Sequence, residues 1–383
     1  MRQSKRSDVD PFIVMDVMEA AAQAEADGRH IIHMEVGQPG TPAPAGARAA
    51  LAAAMEAGSL GYTVALGLPE LRARIAGLYA KRHGLEISPE RVVVTAGSSG
   101  AFLLAFTALF DAGEKVALGA PGYPSYRQIL SALSLTPVDI QTRSEDRYQP
   151  VPDALPQDIQ GLIVASPANP SGTMLDRPAL AALIQAAEAR GAAFVSDEIY
   201  HGLEYDRPAV SALEISDDVY VINSFSKYYS MTGWRVGWMI VPEDHVRTVE
   251  RLAQNMFICP PHASQIAALA ALDCDEELKA NVEVYRANRA LMIEGLAKAG
   301  FTNFAPPDGA FYVYADVSDL TDDSHAFAAE VLEQAGVAVT PGVDFDKERG
   351  RNTLRFSYAR STEDIREGLA RLATFMASRR GRA

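Results

Sequence analysis

The segment from Val219 to Gly237 constrains this chain more than any other. Its apolar run, Val219 to Ile222, has the character of a buried strand and delivers Ser224-Phe225-Ser226-Lys227 to that strand's end. A lone ammonium there is costly unless it pairs or reacts. Arg235 follows Lys227 by eight residues and Ser224 precedes it by three, so an amine, a hydroxyl and a guanidinium gather in one short turn. That set suits a phosphorylated aldehyde, with the amine joined to the aldehyde carbon and the other two groups on the phosphate. It equally suits an ordinary lysine on a strand-to-helix turn, because short motifs match by chance.

Composition narrows the field. The 383 residues leave room for two domains sharing one large core, and 48% hydrophobic with 22% charged content is that of a globular protein. A formal charge of −14 argues against nucleic acid or an anionic membrane as the main partner, so local positive sites must hold any anion. Cys259 and Cys274 show no metal-type spacing, so no metal is expected and a reducing cytoplasm fits. No apolar run of signal-peptide or membrane-span length is present, which predicts neither export nor insertion.

Other strand ends also carry chemistry. A short strand over 31–36 leads into Gly37-Gln38-Pro39-Gly40-Thr41-Pro42-Ala43-Pro44, where prolines and glycines preclude regular structure and leave backbone exposed. The β-branched run 91–95 stops at Ala96-Gly97-Ser98-Ser99-Gly100 before a helix expected over 101–110, an arrangement that aims free N–H groups at an anion. Similar turns occur with nothing bound. Tyr123, between Gly122 and Pro124, presents a rigid flat face suited to stacking on a heteroaromatic ring. Asn169 lies in a Pro- and Gly-rich segment that is also a plain turn signal.

Asp197 ends the apolar strand 193–197, where an unpaired carboxylate needs a partner such as a protonated ring nitrogen; Glu198 reads as a charge behind it or at the surface. Arg355 faces opposite Leu354 and Phe356 in the alternating run 353–358, and its planar guanidinium suits either a bound carboxylate or a surface ion pair. Tyr62 by itself reads as a half-buried aromatic. The polar residues 1–10 read as a mobile arm, or a strap ordered by another subunit. Helical spacing predicts helices over 13–27, 46–57, 177–190, from 276 past Leu296, and over 362–379.

Ser224-Phe225-Ser226-Lys227 followed by Met231-Thr232-Gly233-Trp234-Arg235-Val236-Gly237 resembles the cofactor-lysine segment of the class I/II aminotransferases. These are fold type I enzymes of the aspartate aminotransferase superfamily that use pyridoxal 5'-phosphate (PLP). The remaining segments resemble the family in order from about residue 37 to 358. The resemblance implies an α/β fold type I transferase, with a large PLP-binding domain over 45–275 built on a mostly parallel central sheet. A smaller α+β domain would come from 1–44 and 276–383.

By the same resemblance, Lys227 is joined to PLP and later acts as general base, and Asp197 pairs with the ring nitrogen. Asn169 and Tyr200 meet the phenolic oxygen, Tyr123 stacks on the ring, and the bond before Pro121 is cis. Gly97, Ser98, Ser99, Ser224 and Arg235 hold the phosphate. Gly37, Asn169 and Arg355 bind substrate, and Tyr62 reaches the partner's cofactor in a homodimer with shared active sites. The activity implied is ping-pong amino transfer from an L-amino acid to a 2-oxo acid; the alternative is a lyase or synthase of the same fold, of C–S β-lyase type. A transcription regulator borrowing the fold would need a DNA-binding domain in the first 44 residues, too few and not basic enough. No second arginine marks a dicarboxylate substrate, so the amino donor stays open.

Overall fold

The computed structural model describes residues 1–381. Helix α1 (Ile13–Ala26) buries Val14, Ala21 and Ala24, and leads to a two-residue strand, β1 (Ile32–His33). Two helices follow, α2 (Ala45–Ala57) and α3 (Pro69–His83). Helix α3 opens on proline, whose missing N–H costs nothing in a first turn, and closes at Gly84 with φ 69°.

The chain then alternates strands and helices: β2 (Val92–Thr95), α4 (Gly97–Leu109), β3 (Lys115–Ala120), α5 (Pro124–Ala132), β4 (Thr136–Gln141), β5 (Gly161–Ala165), α6 (Arg177–Glu188), β6 (Ala193–Asp197), β7 (Tyr220–Ser224) and β8 (Gly237–Ile240). These strands form one seven-stranded sheet in the order β2-β8-β7-β6-β5-β3-β4. All run the same way except β8, which is antiparallel to both β2 and β7. Both faces are covered, so the strands are continuous apolar runs. Val93, Leu118, Ile163, Val195, Ile222 and Met239 pack on one face with Phe102 and Phe106 of α4. Val94, Ala117, Leu162, Phe194, Val221 and Trp238 pack on the other.

Helices α7 (Val246–Met256) and α8 (His262–Ala271) follow, and then the 25-residue α9 (Asp275–Ala299). Beyond it come β9 (Asn303–Phe304), β10 (Tyr312–Asp316), α10 (Ser324–Ala335), β11 (Val337–Ala338), β12 (Thr340–Pro341), β13 (Thr353–Ser357) and α11 (Thr362–Arg380). Strands β12-β13-β10-β9 make an antiparallel sheet, while β1 pairs in parallel with β11 and so knits the N-terminal segment to the C-terminal one.

Two expectations change. The glycine/serine segment at 97–100 is not a turn ahead of the helix but the first turn of α4 itself. Glu198 is no surface charge: it is only 1% exposed. Residues 1–10 are exposed, yet Asp10 pairs with Lys347 at 2.6 Å and accepts from the Gln128 amide at 3.2 Å.

Helix α1 has no side-chain cap of its own, since Phe12 stands at the N-cap. Asp344 supplies one from far along the chain, its carboxylate accepting from the N–H groups of Ile13 (3.1 Å) and Val14 (3.3 Å). Asp344→Ala is expected to cost about 1–2 kcal/mol in urea unfolding and to speed amide exchange at the start of α1.

Candidate active site

Parallel strands end on the same edge of a sheet, and a ligand crevice forms there where helices diverge. Here β2 hands Ser98 and Ser99 to that edge, β3 hands over Tyr123, β5 Asn169, β6 Asp197 and β7 Lys227. Arg235 arrives just before β8, and Arg355 comes from β13. They line a cavity of about 290 Å³.

Lys227 donates from Nζ to the Gly37 carbonyl at 2.5 Å. Burial, with Arg355 and Arg235 nearby, pushes its pKa down to about 7, against the opposing pull of Asp197. Asp197 is 4% exposed. Its Oδ1 accepts from the Ile199 N–H at 3.1 Å and its Oδ2 from the Tyr126 hydroxyl. Burial still lifts its pKa to about 6, against the opposing pull of those two hydrogen bonds and of Lys227.

Arg355 is not the arginine of a surface ion pair. It is 3% exposed and, among the described residues, forms no ion pair and leaves Nε without a partner. Its Nη2 donates to the Glu35 carbonyl at 2.5 Å and its Nη1 to Asn169 Oδ1 at 2.9 Å, with the guanidinium lying over the rings of Tyr312 and Phe345 at 4.5 and 4.7 Å. A buried guanidinium without an anion is chemically suited to one. Asn169, its oxygen taken by Arg355, keeps its NH2 as the available donor.

At the other end, α4 starts with no side-chain cap, which leaves first-turn N–H groups open. Gly97 (φ 72°) allows the Arg235 guanidinium to lie against this turn, since a Cβ there would collide with it. Gly237 is required too: a Cβ would meet the Gly97 carbonyl carbon and the Ser98 nitrogen at 3.0 and 3.1 Å. A helix start beside a guanidinium is suited to a dianion. Ser224 stands one hydrogen bond behind it: its hydroxyl donates to Ser226 Oγ (2.8 Å), and of these two it is Ser226 that lines the wall.

Tyr200 is buried with its hydroxyl 2.8 Å from that of Tyr312. Tyr123 lines the cavity, and the bond before Pro121 is cis. Tyr62 is neither half-buried nor part of its own chain's cavity; it is 81% exposed. Sequence reasoning missed Tyr126, Tyr312 and Ser226, and also Phe12, Val14, Met15 and Met18 of the α1 region. Tyr126 had a signal, lying three residues after Tyr123 and hence on the same side of α5's start.

The aminotransferase class I and II family profile matches residues 29–372. This chain belongs to that family. A valine–pyruvate aminotransferase of Mycobacterium tuberculosis is 47% identical, over 98% of this chain and 99% of its own. A crystallised Silicibacter pomeroyi chain is 69% identical, with TM-score 0.95, covering 99% of this chain and all of that one. Thermus thermophilus aspartate aminotransferase, crystallised with maleate, is 31% identical with TM-score 0.91, covering 98% of this chain and all of that one.

The aminotransferase therefore moves an amino group from an amino acid to a 2-oxo acid with PLP, and the fold type I expectation holds. The residues present fit that cofactor: an uncapped helix start beside Arg235 for its phosphate, a buried carboxylate without a cation for its ring nitrogen, and an amine of lowered pKa for its aldehyde.

Between pH 7 and 10.5 the unfolded chain holds a proton on Lys227 that the folded cofactor-free protein lacks, so stability rises with pH across that window. Lys227→Met is expected to stabilise the cofactor-free protein by about 1–3 kcal/mol near pH 7, and to flatten that slope in denaturant titrations run at several pH values.

Proposed function

We propose that this aminotransferase takes apolar monocarboxylic L-amino acids, with valine the representative donor and a pyruvate-like acceptor, in ping-pong turnover. The supporting observation is that Phe12, Val14, Met15, Met18 and Val36, all apolar, line the same cavity as Arg355. Of this chain's two wall arginines, Arg235 lies against the start of α4, which leaves Arg355 for a single carboxylate. A second carboxylate would be desolvated without a partner. The M. tuberculosis relative carries the same pairing of valine and pyruvate in its name.

In this reading PLP, when bound, draws electrons from the substrate Cα once Asp197 keeps its ring nitrogen protonated. Arg355 grips the α-carboxylate in two hydrogen bonds and fixes which Cα bond faces Lys227. The Lys227 amine, its pKa lowered to about 7 so that a large share is uncharged at neutral pH, removes the Cα proton and returns it at the far side of the nitrogen. With PLP bound, Asn169 and Tyr200 would hold its phenolic oxygen, Gly37 the substrate carboxylate, and Gly97, Ser98, Ser99 and Arg235 the phosphate, with Ser224 acting from behind through Ser226. The apolar residues of the α1 region exclude water.

The reading includes a homodimer. Met55, Tyr62, Val64, Met256 and Ile258 are exposed apolar side chains, and the Thr63 N–H meets Cys259 Sγ at 3.5 Å, bringing the segments around 62 and 258 together. Such a surface suits a second copy of the chain, with Tyr62 reaching its partner's phosphate site. The division into 45–275 and 1–44 with 276–383 is supported by the separate sheets. A cytoplasmic location is supported by two free cysteines and by the lack, among the described residues, of a helix apolar enough to cross a membrane.

The donor is tested by mixing holoprotein with single amino acids and following loss of the absorbance of Lys227-bound PLP. Valine is expected to convert it at least about a hundredfold more efficiently than aspartate; the reverse order would refute the apolar reading. Lys227→Ala and Tyr62→Ala should each be nearly inactive alone. Mixed and allowed to exchange subunits, they should recover about a quarter of wild-type activity, because one site of each mixed dimer is intact.

A further inference from the structure

Strand β6 places its side chains alternately on the two faces of the sheet, so Asp197 enters the cavity while Ser196 and Glu198 point behind it. Behind the sheet Glu198 meets His201. Both are almost completely buried, at 1% and 4% exposure, and neither belongs to the cavity wall.

The hydrogen bonds of this pair leave one atom free on each partner. Glu198 Oε1 accepts three times, from the Ala212 N–H (2.8 Å), the Ser211 hydroxyl (3.0 Å) and the Ser196 hydroxyl (3.2 Å). His201 Nε2 lies 3.0 Å from the Ser166 carbonyl, which can only accept, so Nε2 carries the hydrogen. Glu198 Oε2 and His201 Nδ1 have no other partner among the described residues and stand 3.4 Å apart. Two acceptors facing each other in the dry interior would repel; one proton between them removes the conflict.

We propose that Glu198 is a protonated acid donating from Oε2 to neutral His201 Nδ1, and that this pair is a positioning device for the cofactor-binding residues. It spans what they hang from. Glu198 adjoins Asp197, His201 adjoins Tyr200, and Ser166 begins the segment that carries Asn169. The Glu198 carboxyl also anchors the turn at Ser211 and Ala212. The charge environment agrees with the neutral form: burial first, and then Glu214, push Glu198 up to about 8, and burial with His83 and Arg82 pushes His201 down to about 3. The other titratable neighbours are few. The His83 ring lies 5.6 Å from that of His201 and is itself bound to Glu214 at 2.9 Å, and Tyr79 faces Glu198 from α3.

The proposal rests on Asp197 and Lys227 being the PLP residues, and its test separates the two claims. Imidazole nitrogen NMR of the holoprotein, repeated without cofactor, should show His201 with hydrogen on Nε2 alone from pH 6 to 8. A doubly protonated ring would overturn the neutral pair whatever occupies the cavity. Glu198→Gln keeps an oxygen for the three donors and an N–H for Nδ1, so PLP dissociation should stay within about threefold of wild type, and the pH midpoint of the Lys227-bound PLP absorbance should not move. Glu198→Ala should weaken PLP by about tenfold or more and shift that midpoint.

Equal damage from Gln and Ala would mean a carboxylate–imidazolium pair. An unshifted midpoint in Glu198→Ala would remove the positioning role. If wild-type protein shows no such absorbance with PLP, the assignment of Lys227 fails instead, and the proton count on His201 still stands or falls alone.

Discussion

Lys227, Asp197 and Arg355 surround one cavity without a single ion pair among the described residues. That arrangement costs stability. Desolvation draws the lysine and the aspartate toward neutrality, to about 7 and about 6, and leaves the Arg355 guanidinium over two aromatic rings in place of a carboxylate. A chain selected for stability alone would pair these groups or replace them with apolar ones. Leaving them unpaired makes the cavity complementary to a ligand that brings an aldehyde, a cationic ring nitrogen and carboxylate or phosphate anions.

The sheet makes this possible. A buried parallel sheet gains its stability along its whole length, so the chain can tolerate costly groups at one edge. Strands β2, β3, β5, β6 and β7 pack with their interior residues and present the site residues at or just past their C-terminal ends. The reversal at β8 adds to this, because it returns the chain to β2 and brings Arg235 against Gly97. Side-chain alternation divides adjacent residues between two tasks: Asp197 faces the cavity, while Glu198, next in sequence, lies in the network of Ser196, Ser211 and His201.

The legible part of the site was the part carried by local pattern. Lys227, Asp197 and Asn169 each end a recognisable apolar run, and Gly97 to Ser99 sit where a strand gives way to a helix. Arg355 was legible as a candidate but not as a buried one, since the alternation of one strand says which side a residue faces and not what covers it. Tyr312 carried no signal at all. It reaches Tyr200 only because β10 pairs with β13 beneath Arg355, a contact between residues 112 positions apart. The surface reading of Glu198 failed for the same reason, because the groups that bury it come from a turn further along the chain.

The order of elements, the ends of the strands and the chemistry held in the lysine segment were set by sequence alone, because they depend on periodicity, turn residues and side-chain type within a few positions. Tertiary structure alone decided which apolar residues line the cavity. Phe12, Met15 and Met18 come to the cavity because Asp344, more than 300 residues away, caps their helix. Contacts across that separation depend on how layers stack, and no local pattern encodes the stacking.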